Sequence, residues 1–289
     1  MNKLKIILNS ASKKFNKLLK DQKSKKLREG CYVYELEADV TIPAEFVILM
    51  RFLGNIDLKK QKKIRNYILT KQNIQGGWSL FYNGDSNLSA SVKAYYALKL
   101  SGEDEKSNPM KRAKSYILKN GGAEKVNVFT KITLALFNQI SWKSIPFMPI
   151  EIINFPKWFP FTIYKIAYWS RTVLVPLLVI MHRKPIASNP NKISIDELFL
   201  DLKNKKQKIN LVSKDDFLSK FFIFLDKVSR LIFRIFTYKY KQSCEKNAVE
   251  WIIKRLNGED GLGGIFPAMV NSVIALTIID ERKYKNKIQ

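Results

Sequence analysis

The stretch Lys63–Leu98 limits the possible folds of this chain more than any other part of its sequence. It reads K-x3-Y-I-x3-Q-x3-G-x-W and continues into an apolar stretch with helical period. Because glycine takes positive φ without steric cost, the Gly-Gly pair ends the first helix in a tight turn. We expect the tryptophan to fold back over the end of that helix, which the glutamine helps to close. The pattern predicts a helix–turn–helix unit with these structural residues: Lys63, Tyr67, Gln72, Gly76 and Trp78.

The same unit recurs along the chain. Y-I-L-T begins at Tyr67, Y-I-L-K at Tyr116 and W-I-I-K at Trp251, and each is followed by Gly-rich residues and another apolar helix. Helix–turn–helix units that repeat in this way stack into a ring of inner and outer helices. Strand patterns are sparse. We therefore predict an all-α fold, an α/α barrel, over residues 31–289, preceded by an amphipathic helix within residues 1–30.

Composition and charge narrow the range of partners. The formal net charge is +26, which suits an anionic membrane surface or nucleic acid, or else is solvated surface in a lysine-rich proteome. Motifs of nucleic-acid-binding folds are missing, so we expect no nucleic-acid partner. One histidine, His182, and two distant cysteines, Cys31 and Cys244, do not make a zinc site. We expect neither a metal nor a cofactor.

Two segments bear on membrane association. Phe161–Met181 is long enough to span a bilayer, but Lys165, Arg171 and Pro176 interrupt it, which favours a buried barrel helix. The N-terminal residues do not read as a signal peptide. The expectation is a protein without a transmembrane span that lies on the cytoplasmic side of a membrane as a peripheral, monotopic protein.

The segment Lys220–Lys241 has a different pattern. It carries Phe and Ile on one side and Lys and Arg on the other, as in helices that lie in a membrane interface. A core helix of an all-helical domain is the alternative. If the segment contacts lipid, the predicted contact residues are Phe221, Phe222, Phe224, Leu231 and Ile235.

Seven segments in order resemble the squalene–hopene cyclase family of triterpene cyclases, and Lys63–Trp78 resembles the QW motif of that family. The resemblance runs from about Phe15 to the end of the sequence. It implies a fold of two α/α barrels around an apolar cavity. It also implies that the protein docks on one membrane leaflet and has a role in hopanoid or triterpenoid biosynthesis. The implied substrate is squalene or a related polyprene, and the implied reaction is an isomerisation that an aspartic acid starts by protonating a double bond. The segments are Asp39–Leu49, Gln75–Lys99, Gly121–Lys131, Trp142–Ile152, Ile163–Thr172, Met181–Pro185 and Gly261–Pro267.

The resemblance also implies positions for site residues. Trp169 matches a cavity tryptophan, Glu45 a glutamate in a polar network at one end of the cavity, and Ile265 a cavity-wall isoleucine. Ile166 and Leu174 fall where the family lines its substrate channel. A dry cavity protects a carbocation from water, and aromatic faces stabilise it. For each apolar residue the alternative is ordinary core packing. Glu45 needs a partner, for which Arg171 or a backbone amide would serve.

The catalytic acid of the family lies in an Asp-x-Asp-Asp motif, which these 289 residues do not contain. The nearest sequence, Ser213–Asp216, lies in a charged segment without burial. We therefore expect no catalytic residue in this chain, and the acid would come from elsewhere, for example from a separate C-terminal half. Further departures from the family pattern are Asn127, Thr133, Leu256, Leu262, Phe266 and Asn271.

Three functions remain open at this point. The first is the N-terminal half of a squalene–hopene-type cyclase that is inactive alone. The second is a non-catalytic, membrane-associated remnant or subunit that binds polyprenoid lipid. The third is a basic helical module that binds nucleic acid.

Overall fold

A computed structural model describes residues 9–17, 39–160, 162–189, 192–202, 217–258 and 261–288. Within these ranges all regular structure is helical apart from two isolated antiparallel bridges, so the predicted all-α class is confirmed. The long helices are α1 (9–17), α2 (Thr41–Phe52), α3 (Leu58–Thr70), α4 (Leu88–Leu100), α5 (Asn108–Lys119), α6 (Val128–Leu136), α7 (Tyr168–Arg183), α8 (Phe217–Ile232), α9 (Tyr238–Ile253) and α10 (Phe266–Ile288).

The chain divides into two compact units, Met1–Ala38 and Asp39–Gln289. In the first unit α1 is exposed along its whole described length. The remainder of the amphipathic helix expected in residues 1–30 lies outside the described residues. The second unit contains all the repeats that the sequence analysis singled out.

The second unit has the inner and outer helices of an α/α barrel. α4 packs between α2, α3, α5 and α6, and its residues are buried all round from Ala90 to Leu98. A helix that is buried on every side lies inside a larger structure. α3 and α5 pack outside it and expose their lysines. The predicted barrel of paired helices is therefore confirmed.

α7 lies where the sequence analysis expected a buried helix, but it begins later. Ala167 precedes its first turn, and Ile163–Lys165 forms a separate 3-10 turn. The helix continues through Pro176, and its second half is buried. None of the described helices is both long and apolar enough to cross a bilayer.

Side-chain hydrogen bonds stabilise the first helix–turn–helix unit. α3 ends at Thr70, before the glycines to which the sequence analysis assigned its end. Trp78 is fully buried and its indole N–H donates to the Ile68 carbonyl at 2.8 Å. The Gln72 amide donates at 2.8 Å to the carbonyls of Gly76 and Pro109, which ties the turn to the start of α5.

The surroundings of Lys63, Tyr67 and Gly76 complete the description of the motif. Lys63 is exposed on α3, and Tyr67 is half-buried with the Lys71 ammonium 5.4 Å from its ring centroid. Gly76 has φ +91°, and a Cβ there would lie 2.7 Å from the Arg112 carbonyl oxygen. Positive φ and close backbone approach together require glycine at this position.

The segment Lys220–Lys241 is not one helix, which corrects the sequence interpretation. α8 ends at Ile232 and α9 begins at Tyr238. The Thr237 hydroxyl accepts a hydrogen bond from the Tyr240 amide at 3.3 Å and so caps α9. The helical period of the sequence continues through residues 233–237, so periodicity alone does not predict the break.

Candidate functional site

The inner helices of the second unit enclose an apolar cavity of about 640 Å³. α2, α6, α7 and α10 each present one face to it. The lining residues on α7 follow helical spacing: Trp169, Val173, Leu174 and Leu177. Those on α2 do the same: Glu45, Ile48, Leu49 and Phe52. Side chains three and four residues apart share a helix face, so periodicity in the sequence becomes a continuous wall.

All five cavity and channel residues named from the sequence lie on the wall of this one cavity. They are Glu45, Ile166, Trp169, Leu174 and Ile265. They come from α2, from the turn before α7, from α7 itself, and from the glycine-rich turn before α10. The fold thus brings together positions that are up to 220 residues apart in the sequence.

Trp169 lies at the mouth of the cavity. Its side chain lines the cavity and is 66% exposed, so it is not an ordinary core residue. Leu80 and Phe129 also line the cavity and are exposed. The mouth is therefore rimmed by an indole, a phenyl ring and a leucine side chain.

Among the described residues that line the cavity, Glu45 and Lys93 are the only charged ones. The Lys93 ammonium donates a hydrogen bond to Glu45 Oε1. This corrects the expectation that Arg171 or a backbone amide would serve Glu45. Arg171 instead stacks over the Tyr168 ring, 5.7 Å from its centroid. In this geometry Glu45 Oε1 is a hydrogen-bond acceptor.

Two further polar lining residues are occupied by their own helix. The Asn127 side chain accepts from the Thr130 amide at 2.9 Å and caps α6. The Thr133 hydroxyl donates to the Phe129 carbonyl at 3.2 Å. Thr41, Ser170 and Asn271 are further uncharged polar residues on the cavity wall. Asp215 and Asp216, which belong to the sequence nearest to an Asp-x-Asp-Asp motif, lie outside the described residues.

A helical barrel of repeated helix–turn–helix units around an apolar, aromatic-rimmed cavity is the architecture of the helical terpenoid cyclases. The chain matches the family described as squalene-hopene cyclase N-terminal domain over residues 13–289. It is 47% identical over 252 residues to squalene–hopene cyclase of Zymomonas mobilis, covering 86% of this chain and 38% of that protein. It is 42% identical over 274 residues to squalene-hopene cyclase of Schizosaccharomyces japonicus, with 92% and 41% covered. It is 33% identical over 253 residues to dammaradiene synthase of Dryopteris crassirhizoma, with 88% and 37% covered.

The chain therefore belongs to the squalene–hopene cyclase family and corresponds to its N-terminal domain. It spans about two fifths of the length of these relatives.

A second candidate surface is the outer face of α8. Phe224 is 60% exposed and Leu231 66% exposed, and Phe221 and Ile235 are also exposed. Ile235 lies in the turn between α8 and α9. The side chain of Phe222 lies outside the described residues. Phe221, Phe224 and Leu231 of this amphipathic helix therefore face away from the protein body.

Polar residues hold the other face of α8 against the body. Arg230 pairs with Asp226 at 2.6 Å and donates to the Ile145 carbonyl at 2.7 Å. Asp226 also accepts a hydrogen bond from the Phe147 amide. We call Asp226 and Arg230 the α8 clamp. Sequence patterning alone missed both the clamp and Lys93, because charged residues are normally assigned to the solvent side.

Proposed function

We propose that this chain forms part of the wall of a cavity in which squalene or a related polyprene folds and cyclises. The observation that carries the proposal is that five positions named from the sequence line one apolar cavity. A polyprene is a flexible hydrocarbon, and an enclosing apolar wall removes much of the conformational entropy that opposes ring closure. The Trp169 ring face would stabilise positive charge on the ligand because a desolvated aromatic face attracts cations.

The chain itself supplies the wall and not the acid. Among the described residues of the cavity wall Glu45 carries the one carboxyl, and its Oε1 accepts a hydrogen bond from Lys93. The proton would come from an Asp-x-Asp-Asp motif on polypeptide outside these 289 residues. Such polypeptide would also cover the exposed mouth formed by Leu80, Phe129 and Trp169, and so keep water from the cation.

The test is reconstitution. The chain is co-expressed with the C-terminal region of the Zymomonas mobilis relative that follows the matched residues, and the pair is purified together. Incubation with squalene and gas chromatography of the extract should give cyclised product from the pair and none from either part alone. The intact Zymomonas mobilis relative is the positive control.

Two outcomes would contradict the proposal. Product from this chain alone would mean that an acid is present within it. A co-purified pair that forms no product, beside an active control, would leave the alternative of a non-catalytic subunit that binds polyprenoid lipid.

We further propose that α8 docks the protein on an anionic membrane surface. The support is an apolar face turned outward by the α8 clamp, with exposed Lys227, Arg234 and Lys239 close by in sequence. Apolar side chains that insert beside basic ones are typical of interfacial helices. A lipid surface would also give access to a substrate dissolved in the bilayer.

Vesicle flotation tests the membrane proposal. The double substitution Phe224→Gln and Leu231→Gln should lower binding to phosphatidylserine-containing vesicles at least fivefold, because each removes an inserting side chain. Stability should hardly change, since both side chains are exposed. The matched control is Ile74→Gln, which alters a 96% exposed residue in the turn after α3. Equal loss from control and test variants would refute a specific role for α8.

A further inference from the structure

The charged pair in the cavity has unused hydrogen-bonding capacity. An ammonium carries three N–H donors, and a carboxylate carries two acceptor oxygens. Among the described residues, Lys93 Nζ donates to Glu45 Oε1 and no other hydrogen bond reaches either group. Two donors and one oxygen therefore remain available at the cavity wall.

Water has little access to these unused donors and this oxygen, so it is a poor substitute for a hydrogen-bond partner. Lys93 is 7% exposed, and most of the residues that line the cavity with the pair are apolar, for example Ile48 and Ile132. A buried polar group without a partner costs free energy, more so when it is charged. A ligand that completes the hydrogen bonds of the pair recovers that cost on binding.

The two charges restrict the chemistry of such a ligand. A carboxylate or phosphate end would meet Lys93 favourably but be repelled by Glu45. An ammonium end would be repelled by Lys93. A hydrocarbon end would cover the pair and leave its polar atoms unsatisfied. A neutral hydroxyl fits both partners, because its oxygen accepts from Lys93 Nζ while its proton is donated to Glu45 Oε2.

We propose that the Glu45–Lys93 pair is a subsite for the terminal hydroxyl of a polyprene alcohol. The hydrocarbon chain of that ligand occupies the remaining apolar wall on α2, α6, α7 and α10. This inference rests on the proposed function of the cavity as a polyprene site, and it refines the ligand class from a plain hydrocarbon to an alcohol. Cation chemistry is disfavoured next to the ammonium, so the neutral end of the ligand belongs there.

The experiment compares three ligands that share one hydrocarbon chain and differ only in their terminal group. They are hexaprenol, its methyl ether, and the hydrocarbon that lacks the oxygen. Binding to the full chain in mild detergent is followed by tryptophan fluorescence, since Trp169 lies at the cavity mouth. Hydrogen bonds to charged groups predict about tenfold tighter binding of the alcohol than of the hydrocarbon. The ether accepts but does not donate, so it should fall between them.

The decisive variant is the double substitution Lys93→Met and Glu45→Leu. It removes both charges together and leaves neither one buried alone. The preference for alcohol should vanish while hydrocarbon binding stays within about twofold of wild type. Lys99→Met is the matched control, because Lys99 lies on the same helix but pairs with Glu105 and Glu197 away from the cavity. The control should keep the preference, and circular dichroism checks the fold of each variant.

The outcomes separate this inference from the proposed function. If wild type binds alcohol and hydrocarbon equally, water serves the charged pair and the hydroxyl subsite is refuted, while the polyprene cavity stands. If no ligand binds, both proposals fail. A double variant that keeps the preference also refutes the subsite. Should the double variant not fold, Glu45→Gln keeps the side-chain shape, and an undiminished alcohol preference in that variant counts against the proposal.

Discussion

His182 ties the stability of the barrel to pH. It lies half-buried in the last turn of α7, and burial lowers the pKa of its imidazole. Glu245, whose Oε2 is 3.9 Å away, acts in the opposite direction, as does Glu151, while Arg183 and Lys241 add to the lowering. Because the folded protein binds this proton less readily than the unfolded chain, His182 favours folding above its unfolded pKa. That contribution is lost as the pH falls through the folded pKa.

We expect urea midpoints to fall between about pH 7 and pH 5, and to fall less in His182→Gln, which cannot take up the proton. The difference between the two curves is the readout, since carboxylates affect both proteins alike. Parallel curves would mean that His182 titrates equally in the folded and unfolded states.

Trp78 is the residue on which the first repeat depends most. Its ring is fully buried and its N–H donates to the Ile68 carbonyl. Trp78→Phe removes that hydrogen bond and leaves space behind, and should lower the free energy of unfolding by about 2 kcal/mol. Trp158→Phe changes a 77% exposed ring and should have an effect below about 0.5 kcal/mol. Urea unfolding of both proteins checks this, and similar losses would contradict it.

Some residues of the cavity could be predicted from the sequence, and others could not. The positions of Ile166 and Trp169 could be predicted because both lie within Ile163–Thr172, a segment that resembles a family, and Leu174 follows that segment by two residues. Lys93 was not predicted, although it lies within Gln75–Lys99, because the sequence does not distinguish an inward-facing lysine among its 51 lysines and arginines. Lys93 lies 48 residues from Glu45 in the sequence, and the packing of α4 against α2 brings the two side chains together. Such a pairing is a tertiary property.

At the scale of elements, the turn before α10 is fitted against α7. Gly263 has φ +70°, and a Cβ there would lie 2.9 Å from the Thr172 hydroxyl, whereas Gly264 has φ +64° and open space around it. Alanine at either position meets backbone strain of about 1 kcal/mol. Only Gly263→Ala adds a clash, so its thermal midpoint should fall further than that of Gly264→Ala. Equal shifts would mean that the turn and α7 separate without cost.

Helix positions were easier to predict than helix ends. The apolar partners of the three repeats became α4, α6 and α10, because an apolar stretch with helical period between turn residues leaves few alternatives. The break between α8 and α9 rests on one capping threonine, and the outward apolar face of α8 rests on the α8 clamp. Both depend on a few hydrogen bonds that a periodicity argument does not register.

At the scale of the whole molecule, the charge of +26 should decide how the protein meets a membrane. Long-range attraction to anionic lipid is screened over about 10 Å at 0.1 M salt, whereas burial of apolar side chains is not. Binding to phosphatidylserine-containing vesicles should therefore weaken as salt rises from about 0.05 to about 0.5 M, but reach a plateau above zero. The Phe224→Gln and Leu231→Gln variant should lose the plateau and keep the salt-dependent part. Duplex DNA added at about 0.15 M salt should not displace the protein from vesicles, and displacement would favour nucleic acid as the partner of the basic surface.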